Sequence, residues 1–167
     1  MIWPPADSLR DFYGTPDGDH DGVADRKWED SNLSKVLPPY KMVLAWNVGQ
    51  TVGSIRCHKK VALSLLSVLQ KIHASYEGDQ DLIQRDRMHL YGGAYNFRTM
   101  RGSTKLSVHA YGAAIDLDPS QNPLGKPWEP GTGMIPKRVV DIFEDAGWQW
   151  GGRWHRPDCQ HFQATAP

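Results

Sequence analysis

Apolar residues recur at three- and four-residue spacing over residues 56–77, and this spacing predicts the longest helix of the chain. The recurring positions are Val61, Leu65, Val68, Leu69, Ile72 and Tyr76. One face of the predicted helix is therefore apolar and is expected to pack on the core. We expect His58 and His73, which lie in the same segment, to be bystanders on this helix.

A second helix is predicted over residues 136–146. Pro136 suits the first turn of a helix, because an N–H at that position would have no partner. Gly147 suits the position just after the last turn, where helices commonly end. The positions expected to face inward are Val139, Val140 and Phe143. Between the two helices, the acidic segment 77–86 is expected to be a loop with no more than a helical turn.

Short apolar segments predict the strands. A buried strand is expected over residues 42–46, a second over 94–98, and a strand followed by a glycine turn over 148–154. Residues 1–55 are rich in Trp, Pro and Gly and contain few periodic segments. We expect this segment to wrap the core irregularly and to form one wall of a cleft.

Length and composition favour one globular domain over residues 1–167. Hydrophobic residues make up 40% of the chain and charged residues 23%, which is typical of a protein with a substantial core. The formal net charge is zero, so the chain lacks the basic surface of a nucleic-acid-binding protein. Its longest apolar runs are far shorter than the ~20 residues of a membrane span, so we expect no membrane insertion. We also expect the protein to be a monomer.

The first residues and the cysteines indicate where the chain is made. The segment 1–5 lacks the basic and apolar regions of a signal peptide, so we expect cytoplasmic synthesis and action on an external target only after release. Cys57 and Cys159 could pair, but a cytosolic origin favours free thiols. Cys159 could also be a metal ligand or a nucleophile.

The segment 107–117 combines a histidine with a carboxylate. Gly112 permits a sharp bend with positive φ, and residues 113–117 follow as a short strand. Side chains alternate along a strand, so Asp116 points to the face opposite Ile115 and can reach His109. We expect His109 and Asp116 to be two ligands of one metal ion.

The segment 158–163 supplies the remaining groups. His161 and Gln163 share one strand face, and Phe162 points into the core. Asp158 can reach the same face only if a turn or bulge forms at residues 159–160. His109, Asp116 and His161 would leave a fourth zinc position for water, and Asp158 would take the proton of that water.

Each of these residues also has an ordinary explanation. A single histidine is usually a surface residue or a hydrogen-bonded core residue. Asp116, followed by Leu117, Asp118 and Pro119, could simply end a strand in a turn. The occurrence of two patterned segments together favours the metal site.

The pattern Ser107-x-His109-x-x-Gly112-x-Ala114-x-Asp116, followed by Asp158-x-x-His161, resembles the zinc D-Ala-D-Ala carboxypeptidase family. That family includes vancomycin-resistance carboxypeptidases and the L-alanyl-D-glutamate endopeptidases of phage endolysins. The resemblance covers a core of residues 92–163 and is weak before it. Asp158 stands where the carboxypeptidase branch usually has Glu, and Cys159-Gln160 departs from the aromatic or Pro residues often found there.

The resemblance implies an α+β fold, with a small antiparallel sheet backed by helices and zinc on the sheet face. It implies that His109, Asp116 and His161 bind the zinc ion and that Asp158 is the general base, in agreement with the spacing of these residues. It also implies an Arg that stabilises the oxyanion, for which Arg98 is the candidate and Arg101 the rival. A surface Arg at the end of a strand is the alternative for Arg98.

Other residues are candidates for contacts with substrate. Ser107 could donate to substrate or only order the loop that carries His109, and Arg101 belongs to the polar loop before it. Trp150 could form the floor of the cleft, although core packing is the commoner role of Trp. His155 could contact substrate or replace a ligand.

The segment 17–22, Asp-Gly-Asp-His-Asp-Gly, resembles the start of a calcium-binding loop. The twelfth position of that loop, where a bidentate Glu is expected, is Trp28. We therefore interpret the segment as a solvated acidic turn.

The sequence predicts a zinc-dependent peptidase that hydrolyses an amide bond in the peptidoglycan stem peptide, most closely an L-alanyl-D-glutamate endopeptidase. A D-Ala-D-Ala carboxypeptidase or dipeptidase is the first alternative. A zinc-holding binding module without catalysis is another, and a structural protein without metal is the third. The presence of Asp158 at the expected spacing argues against the binding module.

Overall fold

The computed structural model describes residues 2–166. It contains five α-helices and eight strands. In chain order these are α1 (Leu9–Tyr13), α2 (Arg26–Asn32), β1 (Leu33–Val36), β2 (Val43–Leu44), β3 (Asn47–Thr51), β4 (Ile55–His58), α3 (Lys59–Ser75), α4 (Gln80–Arg85), β5 (Leu90–Gly93), β6 (Ala114–Leu117), α5 (Lys137–Asp145), β7 (Gln149–Trp150) and β8 (His161–Gln163).

The main sheet has six strands in the order β3-β2-β5-β6-β8-β7, and β1 and β4 form a separate antiparallel pair. Every neighbouring pair in the main sheet is antiparallel except β2 and β5, which run parallel. The expected α+β architecture, a small and largely antiparallel sheet with helices, is confirmed. β6 lies at the centre of this sheet with β8 beside it.

Helix α3 supplies the apolar face that its spacing predicts. Val61, Leu65, Val68, Leu69 and Ile72 are all at most 1% exposed. The predicted start at residue 56 was wrong, because residues 55–58 pair with β1 as strand β4. His58 is consequently not a bystander: it is buried, and its side chain caps α3 by accepting a hydrogen bond from the N–H of Lys60.

Helix α5 packs on the same core. Its inward positions Val139, Val140 and Phe143 are buried as predicted, and the Phe143 ring stacks on Phe162 of β8 at 3.9 Å between centroids. Pro136 lies at the N-cap, one position before the first turn. Gly147 ends the helix with φ of 82°. Through Phe162, α5 supports the strand that carries His161.

Two observed strands differ from the predicted ones in length or position. Of residues 42–46, only Val43 and Leu44 are in a strand, and Trp46 is 67% exposed at the turn into β3. Residues 94–98 are irregular, whereas the strand β5 comes before them. The register between β5 and β6 shifts between Tyr91 and Gly93, near the end of β5.

The first 55 residues are more regular than predicted, with two helices and three strands. They do wrap the core: the Tyr13 hydroxyl donates to the carbonyl of Ala164 at 2.7 Å, and Trp3 is 3% exposed against Trp148. The acidic segment 77–86 contains α4, which begins after an N-cap at Asp79.

No helix in the described part of the chain is long and apolar enough to cross a membrane. Both cysteines are buried and have free thiols. Burial raises the pKa of the Cys57 thiol to about 12, and burial also raises the pKa of the Cys159 thiol. Neither thiol is therefore primed as a nucleophile.

Candidate metal centre and its cleft

The turn that carries His109 is fixed by its neighbours. The Ser107 side chain caps a short 3-10 turn over Val108–Tyr111 by accepting from the N–H of His109 at 3.3 Å. Nδ1 of His109 lies 2.6 Å from the carbonyl oxygen of Ala94. A carbonyl only accepts, so Nδ1 must carry the proton, and the lone pair of Nε2 is free for a metal.

Gly112 ends this turn and turns the chain into β6. Its φ is 66°, a left-handed conformation that glycine adopts without strain. A Cβ at this position would lie 2.7 Å from the backbone nitrogen of His58 and 2.9 Å from Cδ2 of Leu33. Glycine is therefore required here for both its conformation and its small size.

Asp116 and His161 face each other on adjacent strands. They are direct partners in the antiparallel register of β6 and β8. Nδ1 of His161 lies 2.9 Å from Oδ1 of Asp116 and 3.1 Å from Nε2 of His109, and the third separation, between Nε2 of His109 and Oδ1 of Asp116, is 3.3 Å. Three elements, a turn and two strands, thus bring three donor atoms to one point.

These three residues form a group that could hold a metal ion. Zinc bonds of about 2.0–2.1 Å at tetrahedral angles place ligand atoms about 3.3 Å apart, close to the separations found here. Two imidazoles and one carboxylate are also a donor set that zinc prefers, although other divalent ions accept it. The residues present therefore fit a three-ligand site with one open position.

The electrostatics of the group favour a cation. Burial acts to raise the pKa of the Asp116 carboxyl, but hydrogen bonds and charge from His109 and His161 outweigh burial and hold that pKa below its ordinary range. Burial acts to lower the pKa of His161, and the Asp116 carboxylate outweighs it in the other direction. Asp116 is therefore ionised at neutral pH and presents a negative charge to the two imidazoles.

Asp158 lies beside this group on the turn before β8. The expected turn is present, with the N–H of His161 donating to the carbonyl of Asp158 at 3.1 Å. Burial raises the pKa of the Asp158 carboxyl, and the nearby charge of Asp116 adds to this effect. A carboxylate with a raised pKa is a stronger proton acceptor than an exposed one.

A cleft of about 640 Å³ contains the group and Asp158. Arg98, Arg101 and Ser107, three of the residues expected to act on substrate, line it. The N–H of Ser107 donates to the carbonyl of Arg98 at 3.0 Å, which holds the Arg98 backbone next to the His109 turn.

Two residues expected to contact substrate do not line this cleft. Trp150 is 4% exposed, and its indole N–H donates to the carbonyl of Cys159 at 2.9 Å, so it packs in the core between Trp128 and Phe162. His155 is exposed outside the lining. Among residues 2–55, which the structure describes, none lines the cleft, so the expected wall from this segment is not found there.

The cleft carries unpaired positive charge. Within residues 2–166, no carboxylate lies within 4.0 Å of Arg98, Arg101 or the third lining arginine, Arg156. Most other arginines do pair with carboxylates; these are Arg26, Arg56, Arg85, Arg87, Arg138 and Arg153. An anionic ligand would find cations in this cleft that are not already neutralised.

Several residues of the site are not among the candidates that the sequence suggests. Arg156 and Trp154 line the cleft, and the Trp154 ring lies 5.4 Å from the ring of His161. Gln163 contacts His161 directly, at 2.9 Å between Oε1 and Nε2. The alternation that puts His161 and Gln163 on one strand face was the available signal for this last contact.

The acidic segment of the N-terminal region is a second group of carboxylates. Oxygen atoms of Asp17, Asp19 and Asp21 lie within 4.8 Å of one another; Asp19 and Asp21 are exposed, whereas Asp17 is not. Asp17 accepts from the N–H groups of Asp21 and Gly22 at 3.1 and 3.2 Å. Trp28, at the twelfth position, is buried and donates its indole N–H to the carbonyl of Tyr13.

The segment that carries the candidate site is similar to a known protein family. Residues 101–164 match a family model described as D-alanyl-D-alanine carboxypeptidase. The matched segment contains His109, Asp116, Asp158 and His161 and excludes Arg98. No curated protein and no solved structure gave a match. The part of the chain that carries the candidate site is therefore similar to this family.

Proposed function

We propose that the protein is a zinc-dependent peptidase that hydrolyses an amide bond in the stem peptide of peptidoglycan. The observation that carries this proposal is the convergence of three donor atoms, 2.9–3.3 Å apart, beside a fourth carboxyl group in one cleft. The family match over residues 101–164 supports the same chemistry.

His109, Asp116 and His161 would hold the zinc ion. Zinc, when bound, lowers the pKa of a coordinated water to ~7 and polarises the scissile carbonyl. The position of Asp116 and His161 as direct partners on adjacent strands fixes their orientation, so little rearrangement is needed to place both at one ion.

Asp158 would act as the general base and then as the general acid. It accepts the proton of the attacking water and returns it to the amine that leaves. The Asp158 carboxyl accepts a hydrogen bond from Gln160 at 3.1 Å, which orients it within the cleft. Its raised pKa suits both transfers, because the group must release the proton after taking it.

Arg98 would stabilise the negative charge that develops on the carbonyl oxygen. Its position next to the His109 turn supports this role over Arg101, which belongs to the polar loop 101–105. Arg101 and Arg156 are then left to bind carboxylates that the substrate carries away from the scissile bond.

The Asp base and the resemblance to endolysin-type members support cleavage between L-Ala and D-Glu. A D-Ala-D-Ala carboxypeptidase is the second candidate, because the matching family model carries that description. Both substrates are anionic peptides, and the unpaired arginines of the cleft fit either.

Replacing Asp158 tests the proposal. Asp158→Asn should retain one zinc ion per chain and lose peptide hydrolysis by at least about 10²-fold, because the general base contributes roughly 10²–10⁴-fold. Asp145→Asn, on the exposed end of α5, is the matched control and should hydrolyse like the wild type. Full activity of Asp158→Asn would refute the assigned mechanism.

A further inference from the structure

We propose that Gln163 is a positioning residue that keeps the proton of His161 on Nε2 and so reserves Nδ1 for the metal. This inference rests on the proposed function, since it concerns how this chain prepares one of its own zinc ligands. A neutral imidazole has one protonated nitrogen and one free lone pair, so the location of the proton decides which nitrogen can bind.

The two nitrogens of His161 face different partners. Nδ1 points to the donor group, 2.9 Å from Oδ1 of Asp116 and 3.1 Å from Nε2 of His109. Nε2 points away from it, 2.9 Å from Oε1 of Gln163. The Gln163 oxygen can only accept, so the contact favours a proton on Nε2.

Such support is needed because Asp116 favours the opposite tautomer. Its carboxylate would accept a proton from Nδ1 at least as well as Gln163 accepts one from Nε2. A proton on Nδ1 would leave His161 without a lone pair in the cleft. Gln163 offsets this competition from the other side of the ring.

His109 has a different support for its proton. Its Nδ1 donates to the backbone carbonyl of Ala94, an acceptor that no side-chain rotation can reverse. Gln163 is an amide, and its oxygen and nitrogen can exchange places by rotation about the last side-chain bond. The tautomer of His161 therefore depends on what orients that amide.

Gln149 and Thr165 orient the amide of Gln163. The Gln163 Nε2 group donates to Oε1 of Gln149 and to Oγ1 of Thr165, both at 2.7 Å. The Thr165 hydroxyl in turn donates to Oε1 of Gln149 at 3.2 Å. With both amide hydrogens occupied on this side, the oxygen of Gln163 is left to face His161.

The strands place these groups together. Gln149 of β7 is the direct cross-strand partner of Gln163 in β8. Alternation along the strand puts His161, Gln163 and Thr165 on one face. Gln163 is 6% exposed and Thr165 is fully buried, so water cannot readily replace the hydrogen bonds between them.

The test compares zinc affinities measured by competition with a chromophoric chelator. Gln163→Leu removes the acceptor and should weaken zinc binding by about 10–100-fold, as expected for the partner of a metal-bound histidine. Gln163→Glu keeps an acceptor facing Nε2, and Gln149 can turn its amide to donate to the second oxygen. This variant should stay within about threefold of the wild type, far from the loss expected for an outer-sphere partner.

Two further variants separate positioning from folding. Gln50→Leu, the same replacement on the exposed strand β3, is the control and should bind zinc like the wild type. Thr165→Val removes only one acceptor of the Gln163 amide and is expected to weaken zinc binding less than Gln163→Leu does. It also keeps the test decisive if Gln163→Leu does not fold, which thermal unfolding of the metal-free variants reports.

Wild-type affinity in Gln163→Leu would overturn the inference. An equal loss in Gln163→Leu and Gln163→Glu would overturn it too, because the role would then not depend on an acceptor. If Gln163→Leu does not fold, wild-type affinity in Thr165→Val has the same meaning. Failure of the wild type to bind zinc would instead refute the proposed function itself.

Discussion

At the scale of single residues, the histidines of this chain differ in what surrounds them. His109 and His161 face a carboxylate in the cleft, His155 is exposed, and His58 is fully buried at the start of α3. Nε2 of His58 lies 3.1 Å from the carbonyl of Tyr13, while Nδ1 accepts from Lys60. Both nitrogens are therefore occupied when the His58 ring is neutral.

The neutral state of His58 makes stability depend on pH. Burial lowers the pKa of His58 to about 4, against 6.5 in an unconstrained chain. The unfolded state thus binds the proton more tightly, so the contribution is complete above about pH 6.5 and is lost as pH falls toward about 4. The expected loss at the lower limit is about 3 kcal/mol of unfolding free energy.

Urea unfolding of the wild type and His58→Asn at several pH values measures this pH dependence of the unfolding free energy. Asn can still cap the helix but does not titrate, so the variant should be less stable at neutral pH and should lose less on acidification. An equal loss of unfolding free energy in both proteins would show that His58 does not titrate on unfolding.

The two arginines near the His109 turn should have separable effects. Arg98→Gln should lower kcat by about 10²-fold, because it removes a group that stabilises charge formed only in the transition state. Arg101→Gln should chiefly raise KM. Arg10→Gln, on the exposed face of α1, is the control. A larger loss of kcat in Arg101→Gln would transfer the oxyanion role to Arg101.

At the scale of elements, the site depends on how the His109 turn joins β6. Gly112 makes that junction and contacts the backbone where β4 meets α3. The N–H of His58 also donates to the carbonyl of Gly112 at 2.8 Å. The turn with one ligand and the strand with the next are therefore held by the start of the longest helix.

Gly112→Ala should disturb both stability and zinc binding. The left-handed φ alone costs about 1–3 kcal/mol with a side chain, and the contact with His58 adds to that cost. Gly133→Ala is the matched control, because Gly133 has a φ of 84° with open space around it. Thermal unfolding and zinc titration should show a larger loss for Gly112→Ala; equal losses would exclude the steric contribution.

Elements with a clear period were predictable, and short ones were less so. The cores of α3 and α5 followed from spacing because an apolar stripe is a local property of the sequence. Residues 55–58 have only four positions, so their alternation was absorbed into the predicted helix. The strand predicted over residues 94–98 occurs earlier in the chain as β5, which contains Gly92; a Cβ at Gly92 would come 3.0 Å from the Asp116 carbonyl oxygen.

The same limit applies to the site. The pattern around His109, Asp116 and His161 lies in two local segments, so their approach could be predicted. The contacts of Gln163 with Gln149 could not, because they depend on the register between β7 and β8. Burial of Trp150 likewise depends on the packing of Trp128 and Phe162 from distant segments.

At the scale of the whole molecule, the chain combines zero net charge with a cationic cleft. Ion pairs neutralise most arginines elsewhere, whereas the three arginines of the cleft have no carboxylate within 4.0 Å among the described residues. Trp3, near the N-terminus, and Ala164, just after β8, belong to the same hydrophobic core. The described N-terminal residues therefore contribute to the core that supports β8, but they do not line the cleft. Recognition of an anionic peptide and its proposed hydrolysis would thus take place in a single cleft.

Mass spectrometry of purified muropeptides, incubated with the zinc-loaded protein, tests this central claim most directly. We expect cleavage between L-Ala and D-Glu, with no cleavage by Asp158→Asn at equal zinc content. Loss of only a terminal D-Ala would keep the peptidase and favour the carboxypeptidase alternative. Intact muropeptides after incubation with folded protein that holds one zinc ion per chain would contradict the account.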